Sequence, residues 1–127
     1  MELKPGLRAE LAIVVGETDT AAALGSGDVD VLGTPRLLAL AEAATVKAVG
    51  PHLGEGETSV GTRVELEHRA PSPVGARVTV GAELREVDGP RLAFGFEAAD
   101  ERGTTVAKGR IERIVVDRER FLALAKR

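Results

Sequence analysis

Hydrophobic and polar positions divide this chain into a first strand, a polar loop, one apolar helix and a run of alternating segments. Residues 7–15, LRAELAIVV, read as a strand, with β-branched residues gathering towards its end. Residues 16–32 change to Gly, Asp, Thr and Ala. They predict a long loop with a brief strand over Val29–Leu32, of the kind that often walls or lids a pocket. From Gly33 to Leu53 the pattern turns helical. Thr34 is placed to cap the first free amides, Pro35 suits the first helical position, and Gly50-Pro51 is a stop, with Gly suited to a left-handed exit. Arg36 and Lys47 share one narrow polar edge, and the remainder is apolar almost all round, which predicts a buried helix. Glu42 breaks that pattern. It projects about 120° from Arg36, among Leu38, Val46 and Val49, and a lone carboxylate there is costly unless something pairs with it.

The rest of the chain alternates. In Thr58–Ala70, positions Val60, Thr62, Val64, Leu66, His68 and Ala70 fall on one face, opposite Arg63, Glu65, Glu67 and Arg69. His68 is thus in phase with the buried face. Pro71–Gly75 reads as a turn. Arg77–Val87 points Val78, Val80, Ala82 and Leu84 inward, Asp88-Gly89 signals a hairpin, and Arg91–Ala99 points Leu92, Phe94, Phe96 and Ala98 inward. Another turn over Asp100–Gly103 leads to a last strand, Thr104–Val116. Asp117 then caps a short helix through Ala125. Arg113 shares parity with Ile111 and Val115, and so is a candidate to face inward unless the strand is bulged.

A strand, a long loop, an apolar helix and four antiparallel strands in a meander make an α+β chain. A helix so apolar must be wrapped, and a curved antiparallel sheet is what the chain offers for wrapping it. This is the hotdog architecture, with an open α+β sandwich as its rival. Neither repeats nor linkers interrupt the pattern, so residues 1–127 read as a single domain.

Composition narrows the chemistry. With no cysteine, disulfides and thiolate catalysis are excluded, and His52 and His68 are too few for a multi-histidine metal centre. His52, just past the helix end, reads as surface. Net charge is −3 with pI near 5.5, which points away from nucleic acid. The first residues lack the apolar core of a secretion signal, and no run reaches a membrane span, so a cytoplasmic location is expected. There is no Asn or Gln, so an oxyanion would be met by backbone amides, His, Thr or Arg.

Three segments, TPRLLALAEAATVKAV, the stretch PHLGEGETSVGTRVELEHRAPSPVGARVTVGAELREVDGPRL, and GRIERIVVDRERF, resemble the fluoroacetyl-CoA thioesterase-like branch of the hotdog superfamily. The resemblance runs from about Gly33 to Phe121. It implies a homodimer, or a higher oligomer, that hydrolyses acyl-CoA without a further cofactor or a metal. It assigns the catalytic set to Thr34, Glu42 and His68, and places the amide of Gly61 towards the substrate carbonyl. Arg113 is a further candidate for substrate binding. One departure stands out: members specialised for fluoroacetate carry aromatic residues before the helix, and residues 16–33 contain none.

The expected activity is therefore hydrolysis of a short or modest acyl-CoA thioester. The alternative is a non-catalytic hotdog dimer that binds acyl-CoA or another small ligand. Hotdog dehydratases use a differently spaced Asp–His pair that is not found here. Thr34 and Glu42 lie eight residues apart on one helix, about 12 Å along its axis. That separation asks for a second chain to complete each site.

Overall fold

The computed structural model describes residues 2–127. Strand β1 (Arg8–Val14) leads through a 3-10 turn at Glu17–Asp19 and a short helix α1 (Ala21–Leu24) into the long helix α2 (Thr34–Val49). Strands β2 (Glu57–His68), β3 (Arg77–Asp88), β4 (Arg91–Asp100) and β5 (Thr105–Asp117) follow, and then α3 (Arg118–Ala123). All pairings are antiparallel, in the order β1-β3-β4-β5-β2. The sheet wraps α2, as the hotdog expectation requires. The meander is shorter than expected, however: only β3, β4 and β5 are sequential neighbours. After β2 the chain crosses over to β3, and β2 pairs with β5 as one edge of the sheet.

Regular alternation builds the inner face. Val78, Val80, Ala82 and Leu84 of β3 are buried, as are Leu92, Phe94, Phe96 and Ala98 of β4. Against them lie Leu37, Leu40, Ala41, Ala44, Ala48 and Val49 of α2. The alanines on this face let the helix lie close to the sheet. Gly109 of β5 makes room for the ring of Phe96 on the neighbouring strand, because a Cβ there would collide with that ring and with the Glu65 carbonyl. At the hairpins Gly89 and Gly103 have φ of +59° and +81°, the left-handed turn residues that the DG and RG dipeptides suggest.

Helix α2 corrects several expectations. Its N-cap is Gly33, so Thr34 is the first helical residue and Pro35 the second. Gly50 is right-handed, with φ −49°, and the chain runs on into a 3-10 turn at Gly50–His52. Burial covers one side only. Ala39, Ala43 and Val46 are exposed, Val46 by 46%, so an apolar flank faces outward beside Glu42. The polar edge is tied down: Arg36 reaches Asp19, and Lys47 Nζ donates to the Glu10 carbonyl at 2.9 Å. The expected strand at Val29–Leu32 is reduced to isolated bridges, Thr20 with Leu32 and Val31 with Pro73. No helix among the described residues is long and apolar enough to cross a membrane.

Candidate active site

The site depends on a break in alternation. In a regular strand Gly61 and His68, seven residues apart, would point to opposite faces. The pairing of β2 with β5 shifts between Gly61 and Arg63, so Thr62 is an extra, bulged residue whose hydroxyl donates to the Glu112 carbonyl at 3.2 Å. Such a bulge re-aims the side chains on one side of it. Ser59 and Gly61 before the bulge, and Leu66 and His68 after it, consequently all face the helix side. The uninterrupted alternation expected from the sequence put Val60 and Thr62 on that face. Thr62 is exposed instead, and Ser59 is buried.

Two polar clusters result, one near each end of this stretch. At the first, Thr34 Oγ1 lies 2.8 Å from His68 Nδ1. Because Gly33 occupies the N-cap, the Thr34 hydroxyl is free of any capping duty. The other imidazole nitrogen, Nε2, is buried and has no hydrogen-bond partner among the described residues. Burial pushes the His68 pKa below its ordinary 6.5, partly opposed by the Ala70 backbone. The shift favours the neutral imidazole.

The second cluster explains Glu42. Its Oε2 accepts from Arg113 Nη1 at 3.2 Å, while Arg113 Nε donates to Ser59 Oγ and Nη2 to the Ser59 carbonyl, each at 2.9 Å. Arg113 is only 6% exposed, which confirms the inward parity read from β5. Desolvation lowers its pKa and Glu42 raises it, so the guanidinium is held as a buried cation by its anion and by Ser59. The Glu42 side chain is 37% exposed, less buried than the apolar pattern of the helix predicts, and Thr45 Oγ1 anchors that turn by donating to the Glu42 carbonyl at 2.6 Å. Gly61 closes the cluster: a Cβ there would stand 2.8 Å from Glu42 Oε2. A side chain at this position would have to push the carboxylate away from the strand.

Four of the five candidate residues thus fall into two pairs, Thr34 with His68 and Glu42 with Arg113, and Gly61 adjoins the second. Ser59 is the residue that the sequence reading missed. Its signal was the fixed offset from Gly61, masked by the unseen bulge.

The family model of fluoroacetyl-CoA-specific thioesterases matches residues 15–119. A fluoroacetyl-CoA thioesterase of Streptantibioticus cattleyicolor is 40% identical over 94 residues, spanning 74% of this chain and 67% of that protein. A crystal structure of a fluoroacetyl-CoA thioesterase superposes with TM-score 0.90 at 34% identity, over 98% of this chain and 96% of that one. A Thermus thermophilus thioesterase-superfamily protein superposes with TM-score 0.90 at 31% identity, over 97% and 90% of the respective chains. A hot-dog-like protein from Thermanaerovibrio acidaminovorans gives 0.87 at 27% identity, over 95% and 89%. The chain belongs to the fluoroacetyl-CoA-specific thioesterase family, hotdog-fold hydrolases of acyl-CoA thioesters.

Proposed function

We propose that this chain hydrolyses short or modest acyl-CoA thioesters at composite sites in a homodimer, with Thr34, Glu42 and His68 as catalytic residues. The observation that carries the reading is the pair of clusters on one face of β2, each holding part of a hydrolytic set. A related fluoroacetyl-CoA thioesterase variant has been crystallised with acetyl-CoA, and another with fluoroacetate and CoA, which supports a small acyl group. The absence of aromatic residues from residues 16–33 argues for a substrate other than the fluorinated one.

In this reading water attacks the thioester carbonyl carbon, and the Glu42 oxygen not engaged by Arg113 takes the proton. The Gly61 amide meets the developing oxyanion. As the carbon–sulfur bond breaks, the proton that Glu42 took from water passes through the Thr34–His68 pair to the departing CoA sulfur, which leaves free acid and CoA and returns every side chain to its starting state. Arg113 contributes by fixing Glu42 rather than by reaching the substrate itself.

The free edge of the sheet supports the dimer. Gly61 to Glu65 are all exposed and the outer side of β2 has no strand beside it. Two copies of β2 paired antiparallel about a two-fold between Val64 and Glu65 would set Gly61 of one copy opposite His68 of the other. Glu42 of one copy then meets Thr34 of the second, twice over by symmetry. The exposed Ala39, Ala43 and Val46 would be covered in the same step, along with the edge amides.

Thiol release from a panel of acyl-CoA substrates tests the activity. Binding of CoA without turnover across acetyl to long-chain substrates would instead favour a ligand-binding dimer. Mixing Thr34→Val with Glu42→Ala subunits after reversible dissociation tests the composite site. Activity should return in the mixed dimer, which carries one intact site; verified mixed dimers that stay inactive would place both residues in one subunit's site.

A further inference from the structure

The start of α2 is held from outside the helix. Its N-cap, Gly33, has no side chain, Pro35 has no amide, and the Thr34 hydroxyl is engaged with His68. Fixation comes from Asp19. The Asp19 carbonyl accepts the Gly33 amide at 2.9 Å, and its carboxylate accepts Arg36 Nε through Oδ1 at 2.8 Å. These two anchors bracket Thr34 and Pro35. The second carboxylate oxygen accepts the Gly16 amide at 2.8 Å and closes the turn that presents Asp19. The Asp19–Arg36 pair is not a loose surface contact, since the Asp19 side chain is only 17% exposed. Its carboxyl is held below the ordinary carboxylate range, first by the Gly16 amide and then by Arg36.

The surroundings leave this grip little slack. A Cβ on Gly33 would lie 2.9 Å from Leu24 Cδ1 and 3.1 Å from the Ala21 backbone, so α1 is pressed against the residue before Thr34. On the other side the Leu32 amide donates to the Ser72 carbonyl at 2.8 Å, tying the same segment to the chain that leaves His68. The loop before the helix is therefore a fixed wall on this side of Thr34.

We infer that Asp19, with Arg36, is a positioning residue: the clamp sets the first turn of α2 so that the Thr34 hydroxyl stays on His68 Nδ1. This rests on the reading above that Thr34 and His68 take part in the reaction. A small displacement of a reacting group is costly, on the order of tenfold to a hundredfold in rate.

Two variants test the clamp. Asp19→Asn keeps an oxygen for Gly16 and removes the charge. Arg36→Met keeps an apolar stem and leaves the other Asp19 contacts intact. Each should lower kcat about tenfold, with KM for acyl-CoA little changed. In a Thr34→Val background the same substitutions should cost nothing further, because the group they position is gone. Independently of activity, the His68 imidazole nitrogen shifts should move towards those of Thr34→Val, with His52 as the unmoved internal reference. Unchanged His68 shifts in both variants would overturn the clamp, as would a full second loss in the Thr34→Val background. If Thr34→Val alone left turnover intact, the catalytic reading would fail, and the His68 shifts would still decide the clamp.

Discussion

The two polar clusters beside β2 are built on opposite plans. Around Arg113 three donor nitrogens are engaged: Ser59 accepts two through its hydroxyl and carbonyl, and Glu42 accepts the third. Around His68 one side-chain hydrogen bond, to Thr34, holds Nδ1, and Nε2 is left unmatched among the described residues. The first cluster is charged and immobilised, with one carboxylate oxygen left over. The second is neutral and incomplete. A buried cation tolerates no slack, since losing its partner strands a charge away from water. A neutral imidazole tolerates an open position, which suits a group that passes a proton on.

Substitutions can break this contrast. The largest effects should come from Glu42→Ala and His68→Ala, each lowering turnover by about 10²-fold or more, read as steady-state thiol release. Glu42→Ala should also lower stability measurably, because it leaves the buried Arg113 guanidinium without its anion. His68→Ala should cost much less, measured by denaturant unfolding. Equal destabilisation in the two would erase the distinction between the clusters.

Gly61→Ala tests the fit of the carboxylate to the strand. Its methyl group would displace Glu42 Oε2, so turnover should fall by about tenfold or more with the melting temperature far less affected. Ser59→Ala removes one of the two Ser59 contacts to Arg113 and should cost about 1.5–3 kcal/mol, the range for hydrogen bonds to charged groups. At the other cluster Thr34→Ser should be nearly harmless, while Thr34→Val should impair turnover without unfolding the chain.

The smallest effect is one of pH. His68 has its native pKa below 6.5, so on acidification the unfolded chain binds this proton before the native one does. Its contribution to stability is complete above pH 6.5 and declines as the pH falls from there towards the native value. His68→Ala should flatten that part of the stability–pH curve. A slope unchanged by the substitution would assign the acid sensitivity elsewhere.

Much of this arrangement was legible in the residue pattern. The inward positions of β3 and β4 obey strict alternation, and each of the eight expected inward residues is buried. Glu42 stood out because a helix periodicity made its apolar surroundings visible, and Arg113 because parity in β5 holds from Ile111 onward. Two of the features that were not legible share one cause, a shift by a single residue. The bulge at Thr62 leaves no mark in a sequence that alternates on both sides of it, so Thr62 was read as inward and Ser59 was passed over. The helix start moved by one position because either Gly33 or Thr34 can precede Pro35, and only packing against Ala21 and Leu24 decides for Gly33. The crossover from β2 to β3 was hidden as well, since a Pro- and Gly-rich connection suits a hairpin equally well.

The bulge has a consequence for how this protein tolerates change. Facing Gly61 and His68 to the same side requires an even count of pleats plus one spare residue, whatever side chains fill the interval. Arg63, Val64 and Glu65 are exposed and open to substitution, but their number is not free. The gain or loss of one codon between Gly61 and His68 would leave nearly all of the core in place. It would also turn one of the two clusters out to solvent. Selection on this strand therefore acts on spacing as much as on residue identity, and chains of this kind should vary in letters there long before they vary in length.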